Sequence, residues 1–328
     1  MASEGREERS SGERRSGTAA GGRATGTPED AGRIDLVGAA AVALAALQFG
    51  AVVVLGKIVT DGGLPVPSFL AMRFGLAAVL LAGLLTATGS PLVAARGEGW
   101  RLALLGMAGY AVESWCFFMG LRHGGPAAVT LLFFTYPVMV TVLAAALGKG
   151  LPGTLVLSAL AAAVVGAALV VLGSGGLDIS TLGVFFALAS AFTFTLYLTG
   201  ADAVLKRTNS VTGAMWVSGA AAVALAGYAL ATGQGRVPHG SHQWVPVVAV
   251  ALFTAGAFGC LFAGLRRLGA VRTSIVAASE PLVAAALSVT FLGERLYAGT
   301  VAGGILILAG AVAASVARQD ARGEPSLP

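Results

Sequence analysis

Ten stretches of about 20 mostly apolar residues succeed one another along this chain, and a stretch of that length suits a helix that crosses the hydrocarbon core of a bilayer. A helix is also the element that satisfies its own backbone where no water is available. The stretches lie at roughly 35–59, 67–86, 101–121, 126–147, 154–172, 180–201, 210–232, 244–264, 271–292 and 296–317. Turn compositions mark the breaks, among them "TDGGLPVP", "GSPLVAARGEGW" and "GSGGLD". Of the 328 residues, 56% are hydrophobic and 11% are charged, against about 25% charged in a soluble domain. The 47 glycines suit membrane helices, whose backbones approach closely at small residues. The sequence predicts an all-α, polytopic membrane protein with ten transmembrane helices, in the cytoplasmic membrane of a bacterium.

Charge and motif content narrow the function. The formal net charge of +5 is spread over short loops and tails rather than one face, so no nucleic-acid partner is expected. Cys116 and Cys260 lie inside apolar runs and give no disulfide framework. His123, His239 and His242 fall in loops without metal-ligand spacing, and the "GK" at 56–57 lacks the glycine of a phosphate loop. Neither a metal nor another cofactor is expected, and no catalytic constellation points to an enzyme. Residues 1–32 read as a disordered tail. Lys and Arg favour cytoplasmic loops. With the N-terminus inside, that side collects Arg96, Arg101, Lys149, Lys206, Arg207, Arg266, Arg267, Arg272, Arg318 and Arg322. The other side has Arg122, Arg236 and Arg295, with Lys57 and Arg73 near the helix ends. Both termini are therefore expected in the cytoplasm.

The two halves resemble each other without a gap. A shift of 144 residues lays Trp244 on Trp100, Cys260 on Cys116, Phe262 on Phe118, Pro281 on Pro137 and Gly310 on Gly166, with "GLR" at 264–266 on "GLR" at 120–122. Units of 33–173 and 174–317, with tails at 1–32 and 318–328, would each hold five helices. An odd number inverts the second unit relative to the first, an arrangement that gives transporters two conformations around a midplane site.

The stretch "LRRLGAVRTSIVAASEPLVAAALSVTFLGERL" resembles the second-repeat signature of the drug/metabolite transporter superfamily, in particular its EamA-type members. Arg73 in "FLAMRFGLAAVLL" and Lys57 resemble that family's arginine and lysine of the second and first helices. The resemblance covers about residues 34–317 and implies a ten-helix transporter of two five-helix repeats. In "LGKGLP" the first repeat lacks the glutamate that commonly ends the fourth helix, so a role there does not carry over.

Ionisable residues inside a membrane are costly and mark function by default. Glu113 lies about 12 residues, roughly 18 Å, into the third helix, and is a candidate proton-coupling or amine-binding group; a packing role is the alternative. Glu280 stands in "VAASEPLVAAAL", before a proline whose ring would clash with the carbonyl of Ala277. Pro281 and its repeat partner Pro137 are candidate hinges, offering Glu280 and Tyr136 to one cavity. Ser190, Thr193 and Tyr197 share a face of the sixth helix and would either line that cavity or bridge helices. Gln48, Tyr110, Trp115 and Trp216 are further cavity candidates. Arg73 would hold a carboxylate or reach the headgroups, and Lys57 would reach the headgroups. Gly299 and Gly303 suggest close packing on the tenth helix, and Glu294 beside Arg295 a solvated pair.

These features predict a secondary transporter for a small metabolite, amino acid or drug-like solute, working outward by alternating access, with protons as coupling ion and the lipid bilayer as surroundings. A sugar-phosphate or nucleotide-sugar exchanger would need more cations at depth. A scaffold or sensor would use the tail.

Overall fold

A computed structural model describes residues 36–147, 154–172, 179–204, 207–277 and 279–322. The N-terminal tail, the breaks at 148–153 and 173–178, Lys149 and Lys206 lie outside the described residues. Among those described, twelve α-helices and one π-helical turn form the fold, and no strand occurs beyond an isolated bridge between Gly124 and Ile179. The helices are α1 (Leu36–Asp61), α2 (Val66–Ala87), α3 (Gly99–Leu104), α4 (Ala111–Arg122), α5 (Pro126–Phe133), α6 (Tyr136–Ala146), α7 (Thr154–Leu172), α8 (Thr181–Val204), α9 (Ser210–Ala231), α10 (Ser241–Ala277), α11 (Glu280–Leu292) and α12 (Ala298–Arg322). The π turn, Leu105–Tyr110, joins α3 to α4.

Among the described residues, six runs are long and apolar enough to cross a membrane: Leu36–Asp61, Val66–Ala87, Gly99–Arg122, Thr181–Ala201, Ser210–Ala231 and Ser241–Leu261. Pro126–Val140, Leu157–Val170, Glu280–Leu292 and Ala298–Ala313 are shorter apolar helices. The expected stretches of about 20 residues thus appear as long and short helices, and proline explains two of the differences. α5 ends at Phe133 and α10 at Ala277, each four residues before a proline, Pro137 and Pro281. Those are the carbonyls that the rings would strike in a continuous helix. A new helix starts at once with the proline in its first turn, where a missing N–H costs little. Thr135 and Ser279 close the two breaks alike, turning their hydroxyls onto Leu132 O (2.8 Å) and Val276 O (2.7 Å).

A second difference lies at 265–270, where the expected break is helical and α10 runs on to Ala277. The chain nevertheless reverses. Gln48 of α1 lies against Gly256, Val42 and Gly38 lie against Gly264, and Gly50 lies against Val283 and Ala284. α10 therefore passes antiparallel to α1, and α11 returns alongside it.

The repeat seen in the sequence recurs in the elements. α2 spans Val66–Ala87 and α9 spans Ser210–Ala231, an offset of 144 residues at both ends. Packing follows the same exchange: α1 lies on α10 as α8 lies on α4, while α2 pairs with α9 and α7 with α12. In the last pair a Cβ on Gly166 would meet Gly303 O at 2.7 Å, so the two backbones touch and neither position has room for a side chain. Phe69, Phe74, Phe118 and Leu121 are fully buried between the helices, whereas Val79, Phe185, Val223 and Ile305 point outward. Such an apolar exterior is what lipid contact requires.

Hydrogen bonds fasten the loops at both ends of the bundle. At one end Ser68 Oγ donates to Gln234 O and accepts from Arg236 N (3.0 Å). At the other, Glu98 accepts from Arg207 N (3.1 Å) and Thr208 N (2.9 Å), and Trp216 Nε1 donates to Leu92 O (3.0 Å). α2 and α9 are thereby joined at each end.

Candidate functional site

A cavity of about 360 Å³ opens between the two halves. Val42 through Tyr136 contribute one part of its wall and Phe194 through Glu280 the other. Most of the lining is apolar or aromatic, with Arg73, Glu113 and Glu280 as its ionisable groups apart from three tyrosines.

Glu113 is carried in by α4, directly after the π turn. Such turns insert a residue into the helical register and re-aim the side chains that follow. The glycines of "LGMAGY" make room for it, since a Cβ on Gly106 would run into Val217 O of α9. Glu113 is buried, and both of its oxygens are engaged: Ser114 Oγ donates to Oε2 (2.7 Å) and Ser190 Oγ to Oε1 (3.1 Å). Ser190 belongs to α8, so this contact also joins the halves. Glu280 starts α11 at the second break, and Tyr136 starts α6 at the first. Both line the cavity, as do Tyr110 and Tyr197, whose rings lie 5.2 Å apart.

Arg73 does not reach toward headgroups. It is buried, with Nε donating to Thr254 Oγ1 (3.0 Å) and its guanidinium 4.7 Å from the Phe74 ring. No ion pair within 4.0 Å links it to Glu113 or Glu280 among the described residues. Lys57 is spent elsewhere, on Leu121 O (2.7 Å) and Asp61 (3.3 Å).

The remaining sequence candidates lie away from the lining. Trp115 packs edge-on against Phe186 and Tyr228. Thr193 donates to Ala189 O and Ser190 O of its own helix. Gln48 Oε1 is buried without a hydrogen-bond partner in the described structure, beside Gly256. Glu294 contacts the first turn of α5, where Ala127 N donates to it at 3.4 Å, a favourable place for a negative charge.

Sequence reasoning passed over Thr254, Ser114, Glu98 and the ring of phenylalanines 117, 118, 133, 134, 194 and 258. Thr254 had one signal: it is the repeat partner of Tyr110, a lone hydroxyl within "VVAVALFTAGAFG". The phenylalanines had none, because an apolar side chain in an apolar helix gives no hint of whether it faces lipid or a cavity.

Comparison with known proteins bears on this arrangement. The profile of the EamA-like transporter family matches residues 36–172 and again 181–316. The chain belongs to that family. This EamA-family protein is 25% identical over 230 residues to the uncharacterized inner membrane transporter YicL of Salmonella typhimurium, covering 69% of this chain and 77% of that one. A solved crystal structure of a protein shares the fold, with a TM-score of 0.62 at 21% identity over 86% of this chain and 98% of the other. This EamA-family chain is thus a multi-pass transporter of the inner membrane, built from two copies of the family unit.

Proposed function

We propose that the protein is a secondary transporter that moves a small metabolite, amino acid or drug-like solute outward across the cytoplasmic membrane by alternating access. One observation carries this reading: both halves wall a single aromatic cavity that holds two carboxyl groups and a guanidinium. The constant offset of the helices and the exchange of their pairings support two units, 33–173 and 174–317, related by a two-fold axis. Ten crossings, with the second unit inverted and both termini cytoplasmic, agree with five helices per unit and with the Lys/Arg distribution. Short helices that break beside the cavity are where such proteins place their binding sites. Glu113 and Glu280 are assigned the exchange of protons against solute. Glu113 suits that role because its partners are two hydroxyl rotors, which can donate to a carboxylate or turn to accept from a carboxylic acid.

The first experiment compares metabolites released by cells that overexpress the wild type or Glu113→Gln, read by mass spectrometry. Enrichment of one solute class in the wild-type medium alone is expected, and identical profiles would count against transport. In proteoliposomes, uptake of that solute should lose its dependence on a pH gradient in Glu113→Gln, Glu280→Gln or both. Full dependence in both variants would remove Glu113 and Glu280 from proton coupling.

A further inference from the structure

Arg73 is held in an unusual way for a cation in a membrane. Its Nε donates to Thr254 Oγ1 at 3.0 Å, and that hydroxyl has already given its own proton to Val250 O at 2.7 Å. A hydroxyl has one proton to give, so Thr254 can meet Arg73 only as an acceptor. The guanidinium also lies 4.7 Å from the ring of Phe74 and 5.7 Å from that of Phe118. One edge of the fork is therefore pinned and its faces are flanked by rings. The two Nη atoms make no hydrogen bond to another described residue, are not sealed off, and belong to a side chain that lines the cavity. Were Arg73 simply a counter-ion for the cavity acids, a contact within 4.0 Å would be expected. None is present among the described residues, and the oxygens of Glu113 are engaged by Ser114 and Ser190.

A guanidinium with a free Nη edge matches a carboxylate, which it binds through two parallel hydrogen bonds. We infer that Arg73 is the subsite for a carboxylate on the solute, and that Thr254 is the positioning residue that keeps its fork turned into the cavity. The solute class is then a small organic acid with an apolar body, seated against the phenylalanines, with or without a further amine toward Glu113 and Glu280. This rests on the transport reading for its context but concerns binding alone. Thr254 lies on α10 and Arg73 on α2, so the contact also crosses between the halves.

The test uses the full chain in lipid nanodiscs, with 3-phenylpropionate and 3-phenylpropylamine as probes that share a body and differ in head group. Apparent Kd values come from calorimetric titration. The wild type should bind the acid saturably, and Arg73→Gln should weaken it by about tenfold or more, a loss of one charge-assisted fork. Thr254→Val should weaken it by about threefold to tenfold, and Thr254→Ser should restore it to within about twofold, since serine keeps the acceptor. Affinity for the amine should not fall in any of the three variants. Absence of saturable acid binding to the wild type would overturn the inference, as would unchanged acid affinity in Arg73→Gln. So would a parallel fall for acid and amine in Thr254→Val, the mark of a merely structural role. Should Arg73→Gln fold poorly, the valine and serine pair still decides. The same probes in proteoliposomes separate the two claims: acid that binds through Arg73 but is never moved sinks transport and leaves the subsite standing. Acid that is moved equally by wild type and Arg73→Gln does the reverse.

Discussion

A carboxylate buried in a protein persists only while its oxygens are hydrogen-bonded, and Glu98 and Glu113 meet that condition in different ways. Glu98 accepts from two backbone N–H groups, Arg207 N and Thr208 N, with the Thr208 hydroxyl added and the Arg207 side chain 3.8 Å away. Backbone donors cannot turn away, so this acid is a fixed tie between the segments 95–98 and 207–208. Glu113 relies on two serine hydroxyls, which can. Glu98→Ala leaves those N–H groups without their partner and should lower stability by about 2–3 kcal/mol, read as a shifted denaturation midpoint in detergent. Glu113→Gln should stay within about 1 kcal/mol of the wild type in the same assay, because an amide can still engage both hydroxyls. The sequence separated these two glutamates only by their position along an apolar stretch. Glu113 stood out because it lies mid-stretch, whereas Glu98 reads as an ordinary loop charge until the fold brings residues 207 and 208 to it.

At the scale of elements, the two broken helices govern the site. Each break places a residue of different chemistry at the cavity, Tyr136 in the first half and Glu280 in the second. Each proline sits in the first turn of its new helix, so it costs little where it is. Pro281→Ala should change stability by less than about 1 kcal/mol, yet it removes the block to a continuous α10–α11 helix. The expected outcome is a folded protein whose transport rate falls while its denaturation midpoint holds, measured on the same proteoliposome preparation. Unchanged transport would mean that the break serves folding alone. The break positions were legible in the sequence because a proline's clash with the carbonyl four residues earlier is a local, chain-intrinsic effect. The helical continuation through 265–270 was not. "LRRLGAVR" reads as a loop by its charge, but its Leu, Arg and Ala are strong helix formers.

For the whole molecule, the decisive property is the exchange of contacts between halves: α1 on α10 as α8 on α4, and α2, α9, α7 and α12 pairing across. A C-terminal green fluorescent protein fusion should fluoresce and an alkaline phosphatase fusion at the same point should be inactive, as a cytoplasmic C-terminus requires; phosphatase activity there would refute the proposed orientation. The amino-acid sequence by itself determined the class of this protein. Ten apolar stretches can satisfy their backbones in lipid only as helices, and the gapless repeat with its paired prolines set the register of the two halves. Membership in a transporter family was likewise written in "SEPL" and its surroundings. What only the tertiary structure decided is which residues meet. Arg73 and Thr254 are 181 positions apart and Glu113 and Ser190 are 77 apart, and no local pattern encodes such pairings. The same holds for the aromatic wall, because the inward or outward aim of a phenylalanine depends on how its helix is rotated against its neighbours.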